Sequence, residues 1–292
     1  MLERVEKDEA PVPGRDPAVA ARIREARALR ASFAGDPKAS IGLLEASAES
    51  FEQAGDAPNA CSQRVSVGVG YLELGALGRA QRTLAMALAA AEEMGLGYLA
   101  AMARHKLGLA LGLGGSLDEG LAVERAAVDA FHAQGHAPLE GVARVALATL
   151  LLLAGDLVGA EREALLADDQ LRRIPPAHAN AMAILARVRL AAGSTLEALD
   201  LAREAMAILE ALHGLDEGEP LVRLVHAEAL HATGDDEGAR AGIAVARDRL
   251  RGRAERIADP DLRTSFLLRI PEHARTLDLA AAWLDARSAD TA

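Results

Sequence analysis

The histidines are the first side chains in this sequence whose spacing could support chemistry. His132 and His136 lie four residues apart, a spacing that can place two imidazoles on one helix face, where they could bind zinc. A glycine interrupts that helix, and no glutamate follows the first histidine as in the zinc-protease motif. His226 and His231 flank Glu228 at a spacing of five, which does not stack them on one helix face. We therefore predict no metal site.

Other candidates for catalysis are also weak. The glycine-rich stretch 108–115, GLALGLGG, has no preceding strand and no following Gly-Lys-Ser/Thr, so it is not a phosphate-binding loop. Cys61 begins a helix, where a thiol can be reactive if it is exposed, but a small buried apolar residue is the simpler interpretation. No Gly-x-Ser-x-Gly nucleophile elbow occurs. We expect no catalytic residue, no enzyme activity and no cofactor.

Composition narrows the possible partners. The chain has 292 residues and is 51% hydrophobic but only 2% aromatic, which suits tightly packed helices. Its net charge of −11 argues against nucleic acid and against an anionic membrane surface. A single cysteine excludes an intrachain disulfide framework. The first residues are charged and lack the apolar region of a signal peptide, so we expect a cytoplasmic protein.

The helices that would position any functional residue recur at a regular spacing along the chain. Turn glycines recur with spacings of 40, 40, 40, 38 and 41 residues, at Gly35, Gly75, Gly115, Gly155, Gly193 and Gly234. Such self-similarity is typical of solenoids. Small residues occupy the positions seven before, five after and twelve after every turn: Ala28, Gly68, Gly108, Ala148, Ala186 and Ala227; Ser40, Ala80, Gly120, Ala160, Ala198 and Ala239; Ser47, Ala87, Ala127, Ala167, Ala205 and Ala246. Small residues on facing sides let two antiparallel helices approach closely.

This arrangement resembles the tetratricopeptide repeat (TPR) family, in a form with a repeat of about 40 residues. The TPR pattern has a small residue in the first helix, a turn glycine and two alanines in the second helix, and the residues above fill those places. Tyr71 fills the aromatic place four before the turn once, whereas the first-helix Trp and the closing proline of the family are absent. The resemblance implies an all-α, right-handed superhelical solenoid of six hairpins with a concave inner wall.

The predicted organisation has three parts. Residues 1–16 form a flexible linker, residues 17–255 the TPR-like solenoid, and residues 259–287 a pair of C-terminal capping helices in which Phe266, Leu267 and Trp283 cover the open end of the last hairpin. Ser116 and Ser194 each begin a capping box for a second helix. The predicted hairpins span about 17–54, 57–95, 97–135, 137–173, 176–213 and 217–255.

The inner wall supplies the candidate binding residues. In the TPR family the face of each first helix that points away from its partner lines the concave groove. At those positions this sequence has Val65, Val69, Leu72, His105, Lys106, Leu109, Val145, Thr149, Leu152, Asn180, Ile184, Arg187, Leu224 and Glu228. An apolar wall with a few polar anchors suits a groove that binds a peptide or a helix. The same Val and Leu residues could instead pack between neighbouring first helices and close the wall.

The predicted function follows from that wall. The segment from Ala258 to Ala280 also resembles the tail that closes TPR regions of large bacterial signalling proteins, namely serine/threonine kinases and MalT-like ATPase regulators. The combined resemblance implies a non-catalytic module that binds a protein or peptide partner or senses a ligand on its concave face. The alternatives are a homo-oligomerisation scaffold, in which the wall or the C-terminal helix makes a homodimer contact, and a helical-bundle enzyme.

Overall fold

The computed structural model describes residues 16–215 and 217–284, and within these ranges the chain contains helices and no strands. The fourteen helices are α1 (Pro17–Phe33), α2 (Pro37–Gln53), α3 (Ala57–Glu73), α4 (Leu77–Glu93), α5 (Gly97–Leu113), α6 (Leu117–Ala133), α7 (Ala137–Leu153), α8 (Leu157–Leu171), α9 (Pro175–Ala191), α10 (Thr195–Ala211), α11 (Glu219–Ala232), α12 (Asp236–Glu255), α13 (Pro260–Leu268) and α14 (Pro271–Leu284). Each helix packs mainly on its neighbours in the chain, which confirms the predicted all-α solenoid of TPR-like hairpins.

One turn design joins the helices, both within and between hairpins. Glycines with positive φ, among them Gly55, Gly95 and Gly135 between hairpins, close the helices as the hairpin-turn glycines do. At Gly155 (φ +79°) the backbone N–H donates to the carbonyl of Leu152 at 3.1 Å, which satisfies an otherwise free helix-end carbonyl. Because a left-handed φ favours glycine, this residue recurs wherever one helix must reverse into the next.

The small residues hold the helices together. All eighteen positions identified from the repeat are buried, and Ala148, Ala160 and Ala167 are completely inaccessible to solvent. Without large side chains between them, the paired helices contact each other through these residues, and Leu, Val and Ile fill the space between successive pairs. This packing explains how so few aromatic residues can support a solenoid.

Helix capping differs in part from the prediction. Ser116 and Ser194 precede α6 and α10, but neither side chain accepts a capping hydrogen bond, so the predicted capping boxes are wrong. Aspartates take this role elsewhere, as at Asp156, whose carboxylate accepts from the Gly159 N–H at 2.9 Å. The first N–H groups of α6 and α10 therefore receive no side-chain cap from these serines.

The C-terminal helices make contact with both ends of the solenoid. Leu279, Ala280 and Trp283 of α14 pack on α11 and α12, as expected for the cover of the last hairpin. Phe266 and Leu267, however, join a cluster that includes Ile41, Val67 and Leu74 of the first two hairpins. The ammonium of Lys38 also pairs with Asp259 at 3.1 Å.

Through these contacts the last helices meet the beginning of the solenoid, so α13 links two ends and does not simply cover one. The predicted linker, apart from Asp16, and the predicted last helical residues 285–287 lie outside the described residues.

Candidate functional site

The first helices of the third, fourth and fifth hairpins line a cavity of about 140 Å³ on the concave side. Eight predicted groove residues meet there: His105, Lys106, Leu109, Val145, Thr149, Asn180, Ile184 and Arg187. Glu217 and Gly218, between α10 and α11, and Glu272, at the start of α14, face them from other elements. The inner wall is therefore neither an open groove nor a fully packed seam, but a cavity bounded partly by the C-terminal region.

A second cavity of about 480 Å³ adjoins the first. The two share Val142, Val145, Asn180 and Glu217 in their walls. The remaining lining of the second cavity is mostly apolar and comes from the ends of α8 and α10 and the start of α9, with Leu171, Ile174, Pro176, Ala177, Leu212, Gly214 and Leu215. Together the cavities form one elongated, mainly apolar space, which we call the concave cavity.

Two basic side chains lie on the wall of the concave cavity, one with an ion-pair partner among the described residues and one without. Lys106 is only 9% exposed, and its ammonium lies 3.5 Å from the Glu217 carboxylate, which supplies the partner that a buried charge requires. The positive charge of Lys106 holds the pKa of Glu217 below its ordinary value. Arg187 is half-buried and forms no ion pair or hydrogen bond with any residue in the described part of the chain. Its guanidinium can therefore bind an anionic group from outside.

Two buried acceptor atoms at the cavity also lack partners. His105 is 3% exposed, and its Nδ1 lies 2.6 Å from Glu124 Oε1, while its Nε2 contacts no hydrogen-bonding group among the described residues. Asn180 Oδ1 is also buried and has no hydrogen-bond partner among the described residues. Buried polar atoms are almost always hydrogen-bonded in folded proteins. In the tautomer whose Nδ1–H donates to Glu124, His105 Nε2 is an acceptor, and a ligand that presents N–H groups would then satisfy both sites.

Glu124 itself is buried, and few interactions offset the free-energy cost of burying its carboxylate. Its carboxyl group is fully buried, and burial raises its pKa although the charges of His105 and Lys106 oppose that effect. The close approach of α5 leaves no room beside it, because a Cβ at Gly108 would lie 2.7 Å from Glu124 Oε2. The His105–Glu124 pair is thus held rigidly with the imidazole at the cavity wall.

Six predicted groove residues lie elsewhere. Val65 and Leu72 are buried within the packing of the second and third hairpins, and Val69 and Leu152 are half-buried beside the core and do not line the concave cavity. Leu224 is 1% exposed beneath α14, and Glu228 pairs with Arg275 of α14 at 2.9 Å. The expectation that Leu224 and Glu228 face a groove is corrected, because α14 packs on that part of α11.

Sequence reasoning missed Glu217, Gly218 and Glu272 as lining residues of the concave cavity. Neither acidic residue occupies a repeat position, so the pattern that located the inner wall does not include them. The acidic composition of the 216–220 stretch was the one available signal, and it indicated only an irregular connection.

The spaced histidines and the single cysteine contact other residues of the fold. His132 Nδ1 lies 3.1 Å from Glu140 Oε2, whereas the His136 ring contacts Tyr98 edge-on, so the two imidazoles do not converge. Cys61 is 1% exposed, donates to the Ala87 carbonyl at 3.3 Å, and has a thiol pKa raised by burial. In the described ranges no three His, Cys, Asp or Glu side chains cluster as metal ligands. No described helix is both long and apolar enough to cross a bilayer.

Comparison with known proteins identifies the fold. No protein-family model matches the chain, and no curated protein matches it in sequence. Among solved structures, a Rap protein complexed with Competence and Sporulation Factor has a TM-score of 0.68 at 14% identity, covering 97% of this chain and 81% of that chain. Apo RapI has a TM-score of 0.63 at 9% identity, covering 91% and 99% respectively.

A STAND protein with a tetratricopeptide repeat sensor, from Pyrococcus horikoshii, has a TM-score of 0.56 at 13% identity, covering 99% of this chain and 53% of that chain. At such low identity the likeness concerns the fold and not the activity. The neighbours are TPR-repeat proteins, and this chain accordingly has a TPR-like helical-repeat fold.

Proposed function

We propose that this chain is a non-catalytic binding module that holds an extended peptide in the concave cavity, with an acidic group of the peptide at Arg187. The observation that carries the proposal is the unpaired Arg187 guanidinium on a mainly apolar wall. The unpaired acceptors of His105 and Asn180 would receive N–H groups of the peptide backbone. Apolar surroundings with a few polar anchors are what peptide sites generally present.

An extended peptide fits better than a docked helix. The side chain of Glu217 reaches the first helix of the third hairpin, where it pairs with Lys106, and Glu272 faces the same cavity from α14. These contacts reduce the space that is left for a helix, which has a diameter of about 10 Å. An extended chain has a smaller cross-section and exposes its N–H groups, which the wall can accept.

The solved structures of similar fold support a peptide ligand. The Rap protein above is complexed with Competence and Sporulation Factor, and the Rap conjugation gene regulator of plasmid pLS20 was solved with the Phr* peptide. The STAND protein carries its repeats as a sensor. By analogy of fold we propose that this chain belongs to a bacterial signalling or regulatory protein that acts in the cytoplasm.

The proposal is tested by affinity selection from a random heptapeptide library, with the bound peptides sequenced by mass spectrometry. We expect the wild-type chain to enrich peptides that contain Asp or Glu. A charge-assisted hydrogen bond contributes about 1.5–3 kcal/mol. Affinity of the selected pool for Arg187→Gln should therefore fall by about tenfold or more. Arg203→Gln is the matched control, because Arg203 is exposed on the second helix of the same hairpin and does not line the cavity.

Failure to enrich any peptide class would contradict the proposal, as would an equal loss of binding in Arg187→Gln and Arg203→Gln. In the second case, binding would reflect overall charge and not the cavity.

A homo-oligomerisation scaffold is the second candidate function, and one surface favours it. Val19, Leu29 and Phe33 of α1 are 48%, 60% and 73% exposed and share one face of the helix. Such exposed apolar patches mark contact surfaces between proteins. Light scattering distinguishes the candidates: a dimer that Phe33→Ser converts to a monomer would support the scaffold, whereas a wild-type monomer would exclude it.

A further inference from the structure

A separate cavity, of about 310 Å³, lies between α11, α12 and α14 and carries the opposite charge to the protein as a whole. Four arginines line it: Arg223, Arg249, Arg253 and Arg256. Among its lining residues only Glu219 is acidic. A local excess of positive charge is unexpected in a chain of net charge −11. Such a positively charged cavity attracts anions. We call this cavity the arginine pocket.

The charges of the arginine pocket are only partly neutralised. Glu219 Oε1 accepts from Arg223 Nε at 2.7 Å and lies 3.6 Å from Arg249 Nη1, so one carboxylate serves two guanidinium groups. Arg253 and Arg256 form no ion pair with any residue that the structure describes. Two guanidinium groups at the pocket therefore lack a counter-charge.

Both of these arginine side chains are exposed to solvent, and each has one contact that restricts its position. The guanidinium of Arg253 lies over the Phe266 ring, 5.8 Å from its centroid, an arrangement in which the ring stabilises the cation. The side chain of Arg256 lies against the first hairpin turn, where a Cβ at Gly35 would be 2.8 Å from Arg256 Cδ. Because they are three residues apart, the two side chains leave α12 on the same face. Less side-chain entropy is lost when an anion binds to groups that are already held.

Most of the remaining lining, apart from Thr276, is apolar. Ala246 and Leu250, 4% and 2% exposed, lie one turn apart on α12, and Pro220 begins α11 beside them. The volume lies at the lower end of the range of small-molecule sites, about 300–1000 Å³. The pocket thus combines a cationic end with an apolar floor.

We propose that the arginine pocket binds a small phosphorylated molecule, such as a nucleotide, with the phosphate group at Arg253 and Arg256 and the ring over Leu250. The planar guanidinium fork donates two parallel hydrogen bonds to phosphate oxygens, which favours phosphate over less compact anions. The site is separate from the concave cavity in its lining residues, so it does not depend on the peptide proposal.

The experiment is isothermal titration of the full chain with ATP, with sodium pyrophosphate and with citrate, in a buffer of constant ionic strength. We expect one saturable site for ATP, weaker binding of pyrophosphate and no saturable binding of citrate. The double variant Arg253→Gln/Arg256→Gln should bind ATP at least about tenfold more weakly. Arg251→Gln is the matched control, because Arg251 is an exposed arginine of the same helix that does not line the pocket.

Absence of saturable binding by both phosphate probes would overturn the proposal, as would equal weakening in Arg251→Gln. Saturation by citrate with the affinity of ATP would overturn the assignment to phosphate, and equal affinity for ATP and pyrophosphate would overturn the role of the apolar floor. If the double variant melts at a lower temperature, Arg256→Lys replaces it. This variant keeps the charge but loses the bidentate geometry, and it should still weaken ATP binding.

Discussion

The third and fourth hairpins bury a carboxylate in a similar way, but the carboxylate of the fourth has more hydrogen bonds than that of the third. Each pairs a glutamate of the second helix with a basic side chain nineteen residues earlier: Glu124 with His105, and Glu163 with Arg144. Glu163 also accepts from Arg162 at 3.0 Å, and Arg144 also donates to Glu140 at 2.6 Å. Glu124 has one hydrogen bond, and its Oε2 has no partner among the described residues.

The difference distinguishes a paired network that stabilises the fold from unpaired polar atoms that a ligand could bind. The fourth hairpin encloses a network in which every charge has a partner, so it contributes to folding and presents little to a ligand. The third hairpin leaves polar atoms incompletely satisfied, and one of them, His105 Nε2, lies at the wall of the concave cavity. Unsatisfied buried groups lower stability, and a ligand that satisfies them gains affinity.

The largest expected effect comes from breaking the complete network. Arg144 is 16% exposed at its side chain, and Arg144→Met would leave Glu140 and Glu163 buried without it. We expect the free energy of unfolding to fall by about 3 kcal/mol or more, measured by denaturant titration. Arg104→Met, which removes an exposed pair with Glu92, should cost about 1 kcal/mol or less. Equal losses would show that the fourth-hairpin network is not a structural unit.

The second prediction concerns how closely the paired helices approach. Gly120 of the third hairpin stands where the fourth has Ala160, and a Cβ there would lie 2.5 Å from the Gly112 backbone nitrogen. Gly120→Ala should therefore destabilise the chain by about 1–3 kcal/mol despite the higher helix propensity of alanine. At Gly42, where a Cβ meets nothing within 4 Å, Gly42→Ala should stabilise it by about 0.5–1 kcal/mol. Thermal unfolding of both variants measures the contrast; the same sign in both would contradict it.

The third prediction uses pH to tell the two carboxylate environments apart. Burial raises the pKa of Glu124 above 4.5, so its contribution to stability is present at low pH and is lost as pH rises from there. Burial also acts on Glu140, but hydrogen bonds from Gln170, Arg144 and His132 outweigh it and lower the pKa below 4.5. The contribution of Glu140 is therefore present above 4.5 and lost as pH falls.

Melting temperatures across pH measure these contributions against Glu124→Gln and Glu140→Gln. The advantage of wild type over Glu124→Gln should shrink as pH rises above 4.5, and its advantage over Glu140→Gln should shrink as pH falls below 4.5. Parallel trends in the two variants would refute the distinction.

The smallest expected effect is at the start of the second helices. Asp156 caps α8 of the fourth hairpin with a hydrogen bond to Gly159 N–H, whereas Ser116 makes no such bond to α6 of the third. Asp156→Ala should cost about 1 kcal/mol, and Ser116→Ala a few tenths. Denaturant titration resolves the difference, and a larger loss at Ser116 would contradict the assigned caps.

The fold could be predicted because the repeat fixes it locally. A turn glycine and three small residues per unit specify how each helix pair closes, and all eighteen small positions are buried as that pattern requires. Eight of the fourteen inner-wall residues meet in one cavity because they share a register on consecutive first helices.

The rest of the site could not be predicted, because it depends on where the superhelix brings its later parts. Glu217 and Glu272 have no repeat register: Glu217 lies in the connection before α11, and Glu272 begins α14, which packs on α11. The same packing removes Glu228 from the wall by pairing it with Arg275. The arginine pocket forms where α14 packs against α11 and α12, two helices that are consecutive in the chain.

The most direct test of the account follows the imidazole nitrogens of His105 by NMR while the heptapeptide pool selected on the wild-type chain is added, with binding monitored by fluorescence anisotropy. We predict that the Nε2 resonance of His105 changes as the peptides bind. That of His178, whose Nε2 lies 2.9 Å from Asp168 Oδ1 and which does not line the concave cavity, should not change. Peptide binding that leaves His105 unchanged would place the site elsewhere and contradict the account.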